Sequence, residues 1–193
     1  VMPQYDSFPR LLMDVSFTVS SIITTTGFAV TDFNTWPLAA HFILLLLMFC
    51  GAMSGSTGGG LKVSRAAIYI KTTSQEVRRA ISPNRKIPVR FEQKPLSATL
   101  QRSVSFYFMI YMVFFCLCVL IVSFGSPNFT TSFSSVAATL NNIGPGLDMV
   151  GPAATYADHT DMSKMTLIVA MIAGRLEIIP VLILFSPRTW RKA

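Results

Sequence analysis

Charge is scarce in this chain. Of its 193 residues, 13% are Asp, Glu, Lys or Arg, against 51% that are hydrophobic. That balance is too apolar for an ordinary soluble domain and is expected of a membrane protein. Acidic side chains are scarcer still, nine against sixteen Lys and Arg. The three cysteines, Cys50, Cys116 and Cys118, all lie inside apolar runs, and no histidine stands at zinc-like spacing from them. This argues against a zinc site and a disulfide framework, and favours small buried residues. No nucleophile–base set is present, so no enzymatic chemistry and no cofactor are implied. The opening Val-Met-Pro has no signal-peptide pattern.

The charge that is present is concentrated. Ten of the sixteen basic residues fall between Lys62 and Arg102, with only Glu76 and Glu92 to oppose them, and Arg188, Arg191 and Lys192 close the chain. A high pI also suits nucleic acid. Basic segments beside apolar spans, however, are the topology signal of the cytoplasmic side, so no nucleic-acid partner is expected.

The apolar segments set the organisation. Residues 8–23 are long enough for a helix but poor as a full span. Residues 38–61 are apolar and interrupted by CGAMSGSTGGGLK, 62–102 are basic and polar, and 103–124 run for 22 residues without a charge. At 1.5 Å per residue the last reaches about 33 Å, enough to cross a bilayer core. Residues 165–185 form a second span-like run carrying Arg175 and Glu177, and 129–142 contain a half-length apolar helix followed by glycine. With the basic stretch and the C-terminus inside, both glycine-containing stretches, TTTGF (24–28) and NNIGPG (141–146), fall near the outer side. The tryptophans Trp36 and Trp190 stand at span ends, as interface residues do.

The order is half-helix, loop, span, basic segment, span, half-helix, loop, span, which is a repeat. An offset of 117 residues places Gly27 on Gly144 and Ile23 on Leu140. The second unit is complete and the first lacks its opening span, so residues before Val1 are expected. Helix followed by irregular chain at membrane depth is tolerated only where protein buries it or where it lines a watery cavity. Two readings of the glycines stand: they end the helices as C-caps, or they give a pore loop permissive backbone. In a pore loop, threonine hydroxyls and main-chain carbonyls face a cation. The half-helices enter from outside, so their partially negative C-terminal ends point inward, which also favours a cation.

Taken together, TTTGF (24–28), GSTGGGLK (55–62), ATLNNIGPGL (138–147) and GRLE (174–177) resemble the C-terminal part of the pore subunit of the Trk/Ktr/HKT cation transporter superfamily. The resemblance covers nearly the whole chain. It implies an all-α membrane protein of potassium-channel-like span–pore-loop–span repeats, with the third repeat partial and the fourth complete. Residues 1–62 would hold the pore helix, filter loop and interrupted inner span of the third repeat, 63–102 a basic cytoplasmic loop, and 103–193 the fourth repeat and a short tail. Carried over by position, the filter would be formed by Thr25, Thr26, Gly27 and Phe28 with Asn142, Ile143, Gly144 and Pro145. The transported ion would be K⁺. A homodimer, a cytoplasmic nucleotide-binding regulatory subunit, the remaining repeats of the parent chain and membrane lipid are the implied partners, in a bacterial inner membrane.

Glycine is unfavourable in a helix interior, and five glycines between Gly51 and Gly60 should break the second span. Lys62 comes one residue late for a phosphate-binding loop, and Val63 replaces its hydroxyl residue. A close-packing glycine face is one reading. A loop that obstructs the pore and moves on opening is the other, and the resemblance supports it for Gly55, Ser56, Thr57, Gly58, Gly59 and Gly60. Mid-span Arg175 is costly in lipid and should face an interior cavity, either paired with a span outside this chain or acting as a positive barrier below the filter. Glu177, two residues on, should not face it, and Pro180 should bend the span just beyond. Asp148, Asp158 and Asp161 read as a solvated outer loop. An ion-coupled secondary transporter and a non-conducting scaffold remain as alternatives.

Overall fold

The fold is seen in a computed structural model, which describes residues 5, 7–51, 60–82, 90–91 and 94–184. Gly55, Ser56, Thr57, Gly58 and Gly59 lie outside the described residues, as do Trp190 and the basic tail. The architecture is mainly helical, with two pairs of two-residue strands.

Helix α1 (Phe8–Ile23) starts after extended Ser7, with Pro9 in its first turn, where a missing N–H costs nothing. Its buried residues Asp14, Thr18, Ser21 and Ile22 form one narrow stripe, unusually polar for a buried face. A 3-10 turn, Phe33–Thr35, capped by the Asp32 carboxylate, leads through Trp36 and Pro37 into helix α2 (Leu38–Phe49). This helix has 12 residues, about 18 Å, and stops short of a full crossing. The chain leaves as strand β1 (Cys50–Gly51) and returns as strand β2 (Leu61–Lys62), which pair in parallel with Cys50 opposite Leu61. The interruption expected from the glycines is therefore an excursion whose two ends lie side by side.

The stretch expected as a basic loop opens instead with helix α3 (Val63–Ile81), 19 residues long. It has no Gly or Pro to break it, and nine of its 19 residues are the good helix formers Ala, Arg, Lys, Gln and Glu; Ile68 is buried while Tyr69 stacks on Phe108 at 4.3 Å. A short hairpin of strands β3 (Arg90–Phe91) and β4 (Lys94–Pro95) follows.

Helix α4 (Ala98–Ser123) is capped by the Ser97 hydroxyl, which accepts from the Leu100 N–H. Its 26 residues reach about 39 Å. Among the described residues it is the one unbroken helix long and apolar enough to cross a membrane. Val104, Tyr107, Tyr111, Phe115, Cys118 and Val122 are buried at steps of three and four, one continuous helix face. The opposite face exposes Phe106, Met109, Val113, Leu117 and Leu120, an apolar surface that water would not tolerate at this size.

Helix α5 (Phe129–Leu140) is buried on nearly every side, from Thr131 to Leu140. Three of its hydroxyls are satisfied within the helix and its cap: Ser132 donates to the Asn128 carbonyl, Thr139 to Ser135, and Ser135 to Thr131; Ser134 instead donates to the Leu147 carbonyl. Helices α2, α4 and α6 surround it. An aromatic cluster of Phe49, Tyr111, Phe115 and Phe133 joins α2, α4 and α5, with edge-on ring pairs at 5.0 Å and 5.3 Å.

Helix α6 (Asp161–Leu176) is capped by Thr160. Gly174 lets it approach α5 closely, since a Cβ there would fall 1.8 Å from the Leu140 carbonyl oxygen. Helix α7 (Ile178–Leu184) follows at a bend of 109°. The break lies at Glu177, which takes φ +65°, just beyond Arg175 and upstream of Pro180. Pro180 cannot donate to the Leu176 carbonyl and its ring clashes there, so the chain parts three residues upstream of the proline.

Candidate functional site

Helices α1 and α5 end in the same way. After α1, the Thr25 N–H donates to the Ile22 carbonyl at 3.1 Å and the Thr26 N–H to Ser21 at 2.9 Å. After α5, the Asn142 N–H donates to Thr139 at 3.0 Å and the Ile143 N–H to Ala138 at 2.8 Å. Each bond has its counterpart 117 residues on. Both sets form a Schellman motif, with Thr25 and Asn142 as the left-handed residue at φ 56°. Gly27 and Gly144 are therefore not the C-cap residues. They sit two positions further along, at φ +76° and +112°, where the chain leaves the cap and runs outward.

The two loops touch. A Cβ on Gly27 would lie 1.8 Å from the Ile143 carbonyl oxygen and 3.2 Å from Pro145 Cδ, so only glycine allows this approach. Gly27, Phe28, Gly144, Pro145 and Tyr156 share the wall of a cavity of about 350 Å³. A larger one, about 640 Å³, is bounded by Thr139, Asn142, Ile143, Gly144 and the α6 residues Leu167 and Met171. Phe28 and Gly144 are exposed, while Ile143 is buried. The eight residues expected at the filter thus stand on two adjoining loops at the C-terminal ends of α1 and α5.

The site offers neutral oxygen. Among the described residues, no three His, Cys, Asp or Glu side chains converge as a metal centre. Carbonyls and hydroxyls are what the loops present. The Thr24 hydroxyl donates to Ser20 and meets that of Thr26 at 2.9 Å, and Ser21 Oγ donates to the Phe28 carbonyl at 2.7 Å. In the second loop the Tyr156 hydroxyl donates to the Gly144 carbonyl at 2.7 Å, and Asn142 Nδ2 to Met171 at 3.2 Å. Burial pushes the Tyr156 phenol pKa up, so this hydroxyl keeps its proton. At His159, burial and then the nearby Lys164 charge lower the imidazole pKa, against a smaller opposing effect of Asp158.

Beyond the two corners the loops are clasped by Asn34. Its Nδ2 donates to the Asp148 carbonyl and its Oδ1 accepts from the Asp148 N–H, both at 2.9 Å. Gly151 makes room, since a Cβ there would meet Asn34 Nδ2 at 1.9 Å. The Asp148 carboxylate accepts from Thr131 at 2.7 Å and from Asn128 at 3.1 Å. Asp148 is thus exposed on its loop, as expected from sequence, and is also a structural hub.

The family model described as cation transport protein, TrkH, matches residues 4–192. The chain belongs to the TrkH family. A Trk system potassium uptake protein TrkH of Halomonas elongata is 42% identical over 176 residues, covering 91% of this chain and 36% of that protein. The TrkH of Escherichia coli K12 is 36% identical, covering 97% and 38%. The crystal structure of the potassium transporter TrkH from Vibrio parahaemolyticus matches with TM-score 0.86 at 36% identity, covering 97% of this chain and 40% of that one. The chain therefore spans about two-fifths of the length of these TrkH proteins, which are named as transporters, not enzymes.

Beneath the loops, this TrkH-family chain places the returning end of the interrupted span against the second corner. Gly60, at φ +83°, abuts Asn141, whose Oδ1 accepts from the Tyr111 hydroxyl at 2.8 Å. Lys62 Nζ pairs with Glu177 at 2.9 Å and Arg65 with both its oxygens at 3.0 and 3.1 Å. The Arg65 guanidinium also lies over the Tyr107 ring, 4.4 Å from its centre. Arg175 stands exposed on the last turn of α6, without an ion-pair partner among the described residues. Asn34, Tyr156 and Glu177 are the contributors that sequence reasoning missed. Their partners are distant in sequence, and Glu177 alone had a signal, as a carboxylate inside an apolar run.

Proposed function

We propose that this chain supplies the third and fourth filter loops of a four-repeat potassium uptake subunit. The observation that carries the reading is the contact of Gly27 with the Ile143 carbonyl: two identically capped half-helices bring their loops together at one point. A K⁺ ion entering from outside exchanges water for the carbonyl and hydroxyl oxygens of residues 25–28 and 142–145, with two other loops completing the shell. The C-terminal ends of α1 and α5 add partial negative charge beneath it. No bond is made or broken, and the ion moves down its electrochemical gradient.

Gating belongs to the interrupted span. The family resemblance assigns it to residues 55–60, and the strands that flank them in sequence, β1 and β2, pair in parallel. The Glu177 pairs hold the returning end to the bend between α6 and α7. Arg175 supplies a fixed positive charge on the inner side, a barrier to cations until the segment shifts. The bacterial inner membrane, a homodimer, and a cytoplasmic nucleotide-binding regulator remain part of this reading through the family resemblance. The exposed apolar stripe Val63, Ile70, Val77 and Ile81 on α3 offers a surface for a partner or lipid.

The test is ⁸⁶Rb⁺ flux in liposomes, competed by K⁺, Na⁺ and Li⁺, for the complete subunit carrying this segment and for Gly144→Ser. Strong K⁺ competition that weakens in the variant supports the reading. Selectivity indifferent to Gly144 sinks it. Broken helices also occur in coupled secondary transporters, and the two breaks here favour that as the second reading. A turnover rate fixed by a stoichiometric cycle, not a channel-like one, would select it.

A further inference from the structure

The Gly144–Pro145 peptide has little to hold it. Gly144 lies at φ +112°, and a Cβ there would meet nothing within 4 Å. Pro145 has no N–H, so the plane lacks the donor through which a neighbour could fix it. Its carbonyl oxygen is the remaining handle, and the Tyr156 hydroxyl donates to it at 2.7 Å. Tyr156 is itself secured. Its carbonyl accepts from the His159 N–H at 3.3 Å, and its ring lies 5.7 Å from the imidazole. The next residue, Ala157, is tied to α6 by Lys164 Nζ at 2.7 Å. The first loop has no such arrangement: 117 residues before Tyr156 stands Ala39, in the first turn of α2. There a hydroxyl from the half-helix, Ser21, holds the next carbonyl along, that of Phe28.

We propose that Tyr156 is a positioning residue for ion selectivity: its hydroxyl fixes the plane of the Gly144–Pro145 peptide, so that the Gly144 carbonyl meets the ion in one orientation. This rests on the filter reading above. A carbonyl oxygen has two lone pairs. Tyr156 occupies one and leaves the other for a cation. Held in this way, the oxygen cannot swing inward to follow the smaller Na⁺. Released, it can, and Na⁺ gains more than K⁺ does.

The experiment compares wild type, Tyr156→Phe and Gly144→Ser in the complete subunit, by ⁸⁶Rb⁺ flux in liposomes competed with K⁺ and Na⁺. Phenylalanine keeps the ring and removes only the hydroxyl. For Tyr156→Phe we expect the K⁺ preference over Na⁺ to fall about three- to tenfold, the scale of one lost hydrogen bond, with maximal flux largely kept. Wild-type competition in Tyr156→Phe alongside lost selectivity in Gly144→Ser overturns the role of Tyr156 and leaves the filter reading standing. Unchanged selectivity in both variants overturns the filter reading, and this proposal with it. A second readout is independent of flux. The melting temperature of purified subunit in KCl, less that in NaCl, should shrink in Tyr156→Phe, with the NaCl value unchanged. An undiminished difference contradicts the proposal. So does failure of the variant to accumulate as folded protein, because the hydroxyl would then be a structural support.

Discussion

The corner after α1 and the corner after α5 have nearly the same backbone and are held by different means. Residues 24–28 are secured from within their own helix: Thr24 bonds Ser20, Thr24 meets Thr26, and Ser21 reaches Phe28. Residues 141–145 are secured from other elements: Tyr111 of α4 bonds Asn141, Met171 of α6 accepts from Asn142, and Tyr156 of the outer loop holds Gly144. The Schellman bonds set the path of each loop, and side chains decide what each loop senses. The first corner is locally self-sufficient. The second is tied to α4, to α6 and to the turn that carries Tyr156. In the proposed pore of unlike repeats, selectivity would be shared by both corners while gating acts through one.

The sharpest way to break this comparison is at the point of contact. Gly27→Ala drives a Cβ into the Ile143 backbone at a φ that disfavours side chains. We expect a loss of about 3 kcal/mol or more, read as a large fall in melting temperature and loss of selective flux. Gly144→Ala meets only the backbone penalty, about 1–2 kcal/mol, and equal effects at the two glycines would contradict the described contact. Next comes Asn34→Ala, which removes two bonds to the Asp148 backbone. It should cost about 1–2 kcal/mol by thermal unfolding, and a silent variant would show the clasp to be idle. Ser21→Ala tests the self-sufficient corner and should cost about 1 kcal/mol with a smaller change in selectivity than Tyr156→Phe.

The smallest expected effect is that of pH on the outer turn. His159 has its pKa lowered from the ordinary 6.5 by burial and Lys164. The unfolded chain therefore takes up the proton first as pH falls. Its stabilising contribution is complete above 6.5 and is lost on acidification through the lower folded value. Melting temperature followed from pH 7 downward should fall less steeply in His159→Gln than in wild type. Identical slopes would remove His159 from the account.

Much of the frame was legible because its signals are local. The 22 uncharged residues at 103–124 marked α4, with the helix beginning earlier at Ala98 because Ser97 caps it. The half-length runs before Gly27 and Gly144, each followed by a polar tract and glycine, marked the two corners, since Gly is the poorest helix former after Pro. The glycine cluster marked the break in the second span. Helix α3 was missed because its charge was read as a loop, although charge does not oppose helix formation. The bend just beyond Arg175 was expected from Pro180, and because a proline acts on the carbonyl four residues before it, the break falls at Glu177. The Asn34–Asp148 clasp joins residues 114 apart, and no periodicity or motif announces such a pair. Tyr156 drew no reading from sequence, because no motif marks a loop tyrosine as the donor to a main-chain carbonyl 12 residues away.

The central claim is that the two loops line one ion path. Phe28 and Pro145 border the same cavity, one from each loop. In the complete subunit with Cys50, Cys116 and Cys118 replaced by alanine, Phe28→Cys and Pro145→Cys would be made singly and together, and Cd²⁺ inhibition of ⁸⁶Rb⁺ flux measured with and without K⁺. The account predicts tight block in the double variant, weak block in each single one, and protection by K⁺. Block of the double variant no tighter than the singles, or indifferent to K⁺, would contradict it.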